Sequence, residues 1–428
     1  MTVRHEDTPT TGSLAKRRRV RSGEPPTGMP RSQGKRQGRA VNWDDAITDA
    51  AASDTGMRRS NNQDSFTIVR ASSAETWRQR GHLFIVADGM GAHAVGELAS
   101  KLACDNIPHN YMKTKAGAPA EAIVKAYRDV GSIIHAKASA NKDFQGMGTT
   151  CSTLLLLPEG AVLAHVGDSR IYRIRKSRID QLTFDHSLVW ELVRRHHLQP
   201  DEANLRVPKN VITRSLGPDP SVEVDIEGPL AVEPNDVYLL CSDGLSGLVS
   251  DPELGAIAGN FHPKEACRYL VQLANLRGGH DNVTVVILRI GSWVEPDSAQ
   301  DVPTQSSPAD NGRTAGGFKS VLAGLFRGKG RAQAPEPVEE HLYRTADCPV
   351  SEALVDKLGE LTRKVQAAAV EQAWSLDWTA LTTFRRKETE ARSAGNLRGA
   401  LKYSGEIIEL LGKAARFHRK AGGPAGVT

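Results

Sequence analysis

Five aspartates stand where predicted strands begin or end. Asp88 and Asp243 each follow an apolar run and lie directly before a glycine, and Asp168 lies between two such runs. Asp64 and Asp281 each precede one. Strands hold the side chains at their ends in place, and the loops beyond them leave room for a ligand. A single Asp-Gly pair after a strand is usually a turn, but five such positions favour a shared site.

Carboxylates that converge in this way repel each other. A pair ~4 Å apart costs ~4 kcal/mol at an effective dielectric constant near 20, so a cation must be bound or some of the acids must protonate. Oxygen ligands suit Mg²⁺ or Mn²⁺, whereas histidines and cysteines do not cluster as they would for zinc. Two such ions about 4 Å apart can activate a water molecule for in-line attack on phosphorus.

A phosphate at such a site also needs a cationic side chain. Arg59, five residues before Asp64, is the candidate, because a guanidinium group matches two phosphate oxygens at once. Arg58 is adjacent and competes for this role. The spacing alone is also compatible with two surface arginines.

Apolar runs and helical patterns alternate over residues 43–293 and indicate the elements that position these side chains. Several strands follow one another without a helix between them, which predicts antiparallel sheets with helices packed outside. The predicted strands are 82–87, 153–157, 161–166, 171–174, 222–227, 237–241 and 282–288. The predicted helices are 95–111, 118–141, 187–198 and 263–277.

Residues 1–42 form a basic leading arm. Residues 1–40 carry ten Lys or Arg against three Asp or Glu, whereas the rest of the chain carries 45 against 47. The arm is poor in large apolar residues, which predicts disorder. It could bind an acidic partner, a membrane or a nucleic acid. Because no aromatic residues interleave with the basic ones, we favour a solvated tail and expect no specific nucleic-acid binding.

The chain after residue 293 changes character. Residues 294–345 are rich in Pro, Gly and Ser and are predicted to be a linker. Within it, residues 318–331 place apolar side chains at helical spacing among basic ones. This pattern is compatible with peripheral membrane contact, with docking on a protein, or with folding back on the same chain. Residues 346–420 predict a small helical region.

The five cysteines are scattered and lack paired spacing, which indicates reduced thiols and a cytoplasmic location rather than a disulfide scaffold. No apolar run approaches the ~18–20 residues of a membrane span, so we expect no transmembrane segment.

Seven short motifs occur in a single order along residues 43–292. They are RSNNQDS at 59–65, VADGMG at 86–91, GTT at 148–150, GDSR at 167–170, TRSLG at 213–217, CSDGL at 241–245 and DNVTV at 281–285. In this respect the chain resembles the metal-dependent protein phosphatases of the 2C type, and most of all their bacterial branch. The resemblance implies an α+β fold: a four-layer α/β/β/α sandwich of two antiparallel sheets flanked by helices. The C-terminal helices would be an extension of it.

The resemblance also implies roles for individual residues. Asp88 would bridge two Mn²⁺ or Mg²⁺ ions, and the Gly89 carbonyl would bind one of them. Asp243 and Asp281 would hold the other. Asp168 would join Asp243 at a third, weaker metal site.

Two further residues would surround these ions. Arg59 would bind the substrate phosphate, and Asp64 would support the metal-water network as a ligand or from behind the ligands. Residues 196–214 match a mobile flap beside the active site, where substrate selection would occur.

Three positions depart from the pattern. Met90 stands where eukaryotic relatives carry a histidine thought to protonate the leaving group; bacterial relatives commonly carry methionine there, and we expect a metal-bound water to act instead. Ala92 replaces a glycine, and its methyl group would shift the loop. Gln63 replaces a glutamate and removes one negative charge near the metals.

The resemblance implies hydrolysis of phosphoserine and phosphothreonine on phosphoproteins, opposing a Ser/Thr kinase. Since all motifs lie within residues 43–292, we expect the chemistry not to need either extension. An alternative is a catalytically weak phosphoprotein-binding regulator or scaffold that acts through its helical C-terminus. The intact acids Asp88, Asp243 and Asp281 argue against it.

Overall fold

The computed structural model describes residues 47–91, 95–114, 117–194, 211–291, 293 and 343–422. The predicted basic arm, the amphipathic segment 318–331, Ala92 and most of the predicted flap lie outside these residues. None of the helices in the described part has the length and apolar composition of a membrane span.

Strands and helices follow one another in short intervals along the described chain. The strands are β1 (Ile47–Asp54), β2 (Asp64–Val69), β3 (His82–Met90), β4 (Gly148–Thr149), β5 (Cys151–Leu157), β6 (Gly160–Val166), β7 (Arg170–Arg175), β8 (Arg178–Gln181), β9 (Asp225–Leu230), β10 (Val237–Cys241), β11 (Val283–Ile290) and β12 (Arg344–Asp347). The helices are α1 (Ala74–Arg80), α2 (Val95–Lys113), α3 (Pro119–Ala140), α4 (Leu188–Arg194), α5 (Asp243–Ser246), α6 (Asp251–Asn260), α7 (Pro263–Leu276), α8 (Glu352–Glu371), α9 (Trp378–Ser393) and α10 (Leu397–Lys420).

The strands form two sheets. The first has the order β1-β11-β10-β7-β8-β12, and the second has the order β2-β3-β5-β6-β9, with β4 paired to β3. Neighbouring strands in both sheets run antiparallel. The two antiparallel sheets and their outer helices confirm the predicted fold class.

Alternation along single strands produces the layers. On β3, Phe84 and Val86 face the core between the sheets, while Leu83, Ile85 and Ala87 pack beneath α2 and α3. Strand β11 is buried along its whole length in the same two-sided way. Successive side chains of a strand point to opposite faces, so a strand that is apolar at every position is covered on both. This requires helices outside each sheet.

The C-terminal helices extend the core under the first sheet. Buried side chains of α8, α9 and α10 share one apolar cluster with those of α6 and α7. Helix α10 approaches α7 closely at Gly405, where a Cβ atom would lie 2.7 Å from the Tyr269 ring. Strand β12 pairs with β8 and forms one edge of the first sheet. Residues 343–422 therefore pack directly on the sandwich.

The predicted strands differ from the structure at the edges of the first sheet and at two short strands, β4 and β8, which were not predicted. Neither β1 nor β12 has a counterpart among them, because edge strands are half exposed and these two are rich in Ala, Thr and Asp. The strand predicted at 222–227 is instead β9, which begins at Asp225. Val222 does not join it because this side chain packs against α3 beside Gly131.

Candidate metal and phosphate site

Two of the predicted acids face each other across neighbouring strands. Asp64, the first residue of β2, is the register partner of Asp88 near the end of β3. Asp64 is buried, and its Oδ2 accepts a hydrogen bond of 2.7 Å from the Ser242 hydroxyl. The Asp88 backbone is held by Thr150, whose Oγ1 accepts from the Asp88 N–H and whose N–H donates to the Asp88 carbonyl, both at 2.9 Å.

The other three acids come from the first sheet and its loops. Asp168 precedes β7, Asp243 opens the short helix α5 directly after β10, and Asp281 precedes β11. Strand β10 pairs with both β7 and β11, so these three positions lie at one end of the sheet. The negative charges of all of them act on Asp88. The structure thus brings together all five predicted aspartates.

The acids resist ionisation together. Burial raises the pKa of Asp64 to about 7, with added repulsion from Asp243 and Asp281, although hydrogen bonds from two hydroxyl groups oppose the shift. Burial and the neighbouring Asp243 raise the pKa of Asp168 to about 8. Asp88 retains some surface exposure, yet loss of hydration is still the main cause that raises its pKa, followed by repulsion from Asp64.

Several oxygens of this cluster are available to a cation. Asp64 Oδ1 and Asp168 Oδ1 are buried and have no hydrogen-bond partner among the described residues. A buried carboxylate oxygen without a donor is costly unless something else binds it. Oxygen-only donors of this kind suit Mg²⁺ or Mn²⁺. The residues present therefore fit a hard divalent cation.

Side chains alone do not complete a ligand set. No group of three or more His, Cys, Asp or Glu side chains in the described part converges as ligands of one ion. The oxygens of Asp281 instead accept from Arg59 Nη2 at 2.9 Å and from the Asn282 N–H at 2.8 Å. Backbone carbonyls and water would have to supply further ligands, as Mg²⁺ commonly requires.

Gly89 occupies a position where only glycine fits. A Cβ atom there would lie 2.0 Å from the Gly96 carbonyl oxygen and 2.6 Å from that of Gln63. Its N–H donates to the Gln63 carbonyl at 3.1 Å. The close approach of α2 to the end of β3 therefore depends on this residue, and its role as a carbonyl ligand stays a prediction.

The two candidate arginines differ in their contacts. Arg59 is half exposed and forms an ion pair of 2.9 Å with Asp281 at the rim of the acid cluster. Arg58 is also exposed, but its side chain has no ion pair within the described residues. Of these two arginines, the geometry thus favours Arg59 as the one that contacts the acid cluster.

Sequence reasoning did not assign roles to several polar residues that hold the acids. Asn282 connects three segments: its Oδ1 accepts from Gln63 N–H at 2.8 Å, and its Nδ2 donates to the carbonyls of Asn61 at 2.9 Å and Thr55 at 3.1 Å. Ser242 similarly joins Asp64 to the β11 backbone. Both residues adjoin motif aspartates, and this adjacency was the available signal.

Comparison with known proteins gives a consistent result. The family model described as protein phosphatase 2C matches residues 57–273. Protein phosphatase PhpP of Streptococcus pneumoniae is 34% identical over 238 residues, which are 55% of this chain and 94% of that protein.

Solved structures agree. The serine/threonine phosphatase PstP/Ppp of Mycobacterium tuberculosis has a TM-score of 0.51 and 34% identity, covering 58% of this chain and 100% of that one. Stp1 of Staphylococcus aureus has a TM-score of 0.53 and 31% identity, covering 60% and 100%. Both of these solved structures are serine/threonine phosphatases, a class of phosphoric monoester hydrolase. The chain belongs to the protein phosphatase 2C family, as its motifs predicted.

Proposed function

We propose that this protein removes phosphate from phosphoserine and phosphothreonine residues of other proteins in a reaction that depends on Mn²⁺ or Mg²⁺. Family membership supports the reaction, and relatives named serine/threonine phosphatases support the substrate class. The observation that carries the proposal is the cluster of mutually repelling aspartates with unpaired buried oxygens beside Arg59. No comparable observation favours the alternative of an inactive scaffold.

The acids are proposed to divide two ions between them. Asp88 would contact both, Gly89 would add its carbonyl to one, and Asp243 and Asp281 would hold the other. Asp168, whose Oδ1 is buried without a partner, would join Asp243 at a third, weaker site. When bound, such ions neutralise phosphate charge and activate a water molecule for attack on phosphorus.

Asp64 is proposed to act on this arrangement from its buried position. Its Oδ2 is engaged by Ser242, so Oδ1 is the atom free to accept from a water or to bind an ion. This fixed orientation would keep one acceptor aimed at the cluster.

Arg59 is proposed to bind the substrate phosphate. Its guanidinium already lies against Asp281, so it needs little movement to present its remaining N–H groups to a phosphate beside the acids. The ion pair also keeps this long side chain ordered before substrate arrives, which reduces the entropy cost of binding.

The cellular setting is a further part of the proposal. All five cysteines are buried and free, which suits reduced thiols in a cytoplasm. Phosphoprotein substrates would include the targets of a cognate Ser/Thr kinase, or the kinase itself. Peripheral membrane contact through residues 318–331 stays a prediction.

Phosphate release from a phosphothreonine peptide tests the reaction. With the full chain, we expect turnover that requires added Mn²⁺ or Mg²⁺ and is abolished by a chelator, with a matched phosphotyrosine peptide cleaved at least about tenfold more slowly. Turnover that is unaffected by the chelator, or no turnover with either metal, would contradict the proposal.

A further inference from the structure

Helix α10 reaches the strand end that leads to the phosphate-binding arginine. The Arg416 guanidinium forms an ion pair with the carboxylate of Asp54, the last residue of β1. These residues are 362 positions apart in sequence. Asp54 is largely buried, with a side chain 11% exposed. The C-terminal extension therefore supplies a charged partner to the catalytic domain close to the site.

Asp54 organises the turn that follows it. Its Oδ1 accepts from the Gly56 N–H at 2.8 Å and from Asn275 Nδ2 at 3.3 Å, and the same atom accepts from Arg416. Gly56 has a φ of +77°, and a Cβ there would lie 2.1 Å from the Asp281 carbonyl oxygen. This turn is thus pressed against the segment that carries one of the proposed metal ligands.

The turn continues directly to Arg59. The N–H groups of Met57 and Arg58 donate to the Gly279 carbonyl at 2.6 and 3.2 Å. Arg59 comes next and pairs with Asp281. One continuous set of contacts therefore joins Arg416, through Asp54 and the backbone of the turn, to the guanidinium proposed to bind phosphate.

We infer that Arg416 is a positioning residue for this phosphatase: by holding the Asp54 carboxylate, it keeps the turn and Arg59 in the orientation that binds phosphate. The inference rests on the proposed role of Arg59. It assigns the C-terminal extension a part in phosphate binding and leaves the chemical step to the catalytic domain, because the ion pair supplies the only charged donor to Asp54 Oδ1 among the described residues. Without Arg416, two neutral donors would remain to orient that oxygen.

A second ion pair between the same two regions provides a control. Arg268 on α7 pairs with Glu409 on α10 at 3.1 Å and does not contact Asp54 or the turn. Both pairs help α10 to dock. Only the Arg416 pair is connected to Arg59, so only its loss should change phosphate binding.

The first experiment measures KM for p-nitrophenyl phosphate and the inhibition constant of inorganic phosphate in the full chain at saturating Mn²⁺. For Arg416→Ala we expect both constants to rise about three- to tenfold with kcat changed by less than about twofold. This pattern results when a variant loses an interaction that binds the substrate and the transition state equally well. Asp54→Asn keeps an acceptor for the Gly56 N–H but removes the charge, so it should act in the same direction. Arg268→Ala should leave both constants within about 1.5-fold of wild type.

A double-mutant cycle then tests whether the effect passes through Arg59. In an Arg59→Ala background, Arg416→Ala should change KM by less than about 1.5-fold, because the residue that it positions is gone. Equal effects in both backgrounds, or an unchanged phosphate inhibition constant in Arg416→Ala, would overturn the inference. Should Arg416→Ala be too unstable to assay, Asp54→Asn carries the same test.

The two proposals fail in different ways. If Arg59→Ala alone leaves KM and phosphate inhibition unchanged, the assigned role of Arg59 is wrong. If Arg59→Ala raises both but the Arg416 and Asp54 variants do not, only the positioning role is wrong.

Discussion

Acids in two regions of this molecule have opposite surroundings. At the ends of β2 and β6, Asp64 and Asp168 are buried among other aspartates, and their pKa values are raised to about 7 and about 8. Beside the C-terminal helices, Glu253 is equally buried, and burial alone would raise its pKa. Two hydrogen bonds from Arg277, of 2.7 and 2.8 Å, and those from Ser250 instead lower it to about 2.

The difference separates structure from function. Glu253 also forms an ion pair of 3.0 Å with Lys357 of α8. Its negative charge is therefore balanced by two cationic side chains, those of Arg277 and Lys357. Removing part of such a network leaves an uncompensated buried charge and costs stability. In the aspartate cluster, Arg59 pairs with Asp281 at the rim, and Arg170 acts on Asp168 and Asp243 but is itself paired with Asp185. The remaining negative charge of the cluster would therefore be balanced by a bound cation. Burial of an acid is thus not informative until its neighbours are known.

The largest expected effect is that of Asp88→Asn. The amide keeps the shape of the side chain but is a poor bridge between two ions, so kcat should fall by at least about a thousandfold, or about 4 kcal/mol. Stability without divalent ions should be unchanged or higher, because one member of a repulsive cluster is neutral. Phosphatase rates against Mn²⁺ concentration and thermal melts with and without metal check both parts. Near-normal turnover, or an unchanged Mn²⁺ requirement, would show that Asp88 is only a turn residue.

The reverse pattern is expected for Glu253→Gln. This change keeps an acceptor for the Ser250 N–H but removes the charge that faces Arg277 and Lys357, so the free energy of unfolding should fall by about 3 kcal/mol. The kcat of the folded protein should stay within about twofold, since Glu253 lies outside the acid cluster. Urea unfolding and a parallel activity assay measure the two effects. A variant as stable as wild type would remove the contrast between the two regions.

Lowering the pH should weaken the stabilisation that the Glu253 carboxylate provides. The pKa of Glu253 is about 2 in the folded protein, against an ordinary value of 4.5. Between these values the unfolded chain binds a proton that the folded chain does not, so this contribution is complete above pH 4.5 and is lost as the pH falls toward 2. We expect the stability difference between wild type and Glu253→Gln to shrink by about 2 kcal/mol over this window. Unfolding curves at pH 7, 5, 4 and 3 would reveal it, and a constant difference would contradict it.

The smallest effect should come from Arg178→Ala. Asp180 accepts from Arg173 at 2.8 Å, from Arg178 at 2.8 Å and from Thr345 at 3.0 Å, so it keeps two donors when one is removed. The Arg178 side chain is 60% exposed, and water replaces it readily. The loss of stability should stay below about 0.5 kcal/mol. A loss of stability comparable to that of Glu253→Gln would mean that the two remaining donors do not compensate Asp180 for the loss of Arg178.

Much of the site could be predicted from short stretches of sequence. The five aspartates lie at strand ends, and the apolar runs beside them indicate strands that are buried on both faces. The polar residues that hold them, such as Asn282 and Ser242, adjoin the same motifs. A strand and its flanking loop are local features, so their side-chain types and spacing specify where an acid will stand. The edge strands β1 and β12 were not predicted, because a partly exposed strand shows little alternation of apolar and polar residues.

The partners of the acids required the tertiary structure. Nothing in the spacing of Glu253, Lys357 and Arg277 distinguishes them from surface charges, and Arg416 is 362 residues from the carboxylate that it holds. The helical region predicted at residues 346–420 did not indicate which elements its helices would cover. Local sequence by itself determined the elements and the acid cluster at their ends. Only the packing of α10 on α7 decided which charges meet across the interface, because such a meeting depends on the relative placement of whole elements.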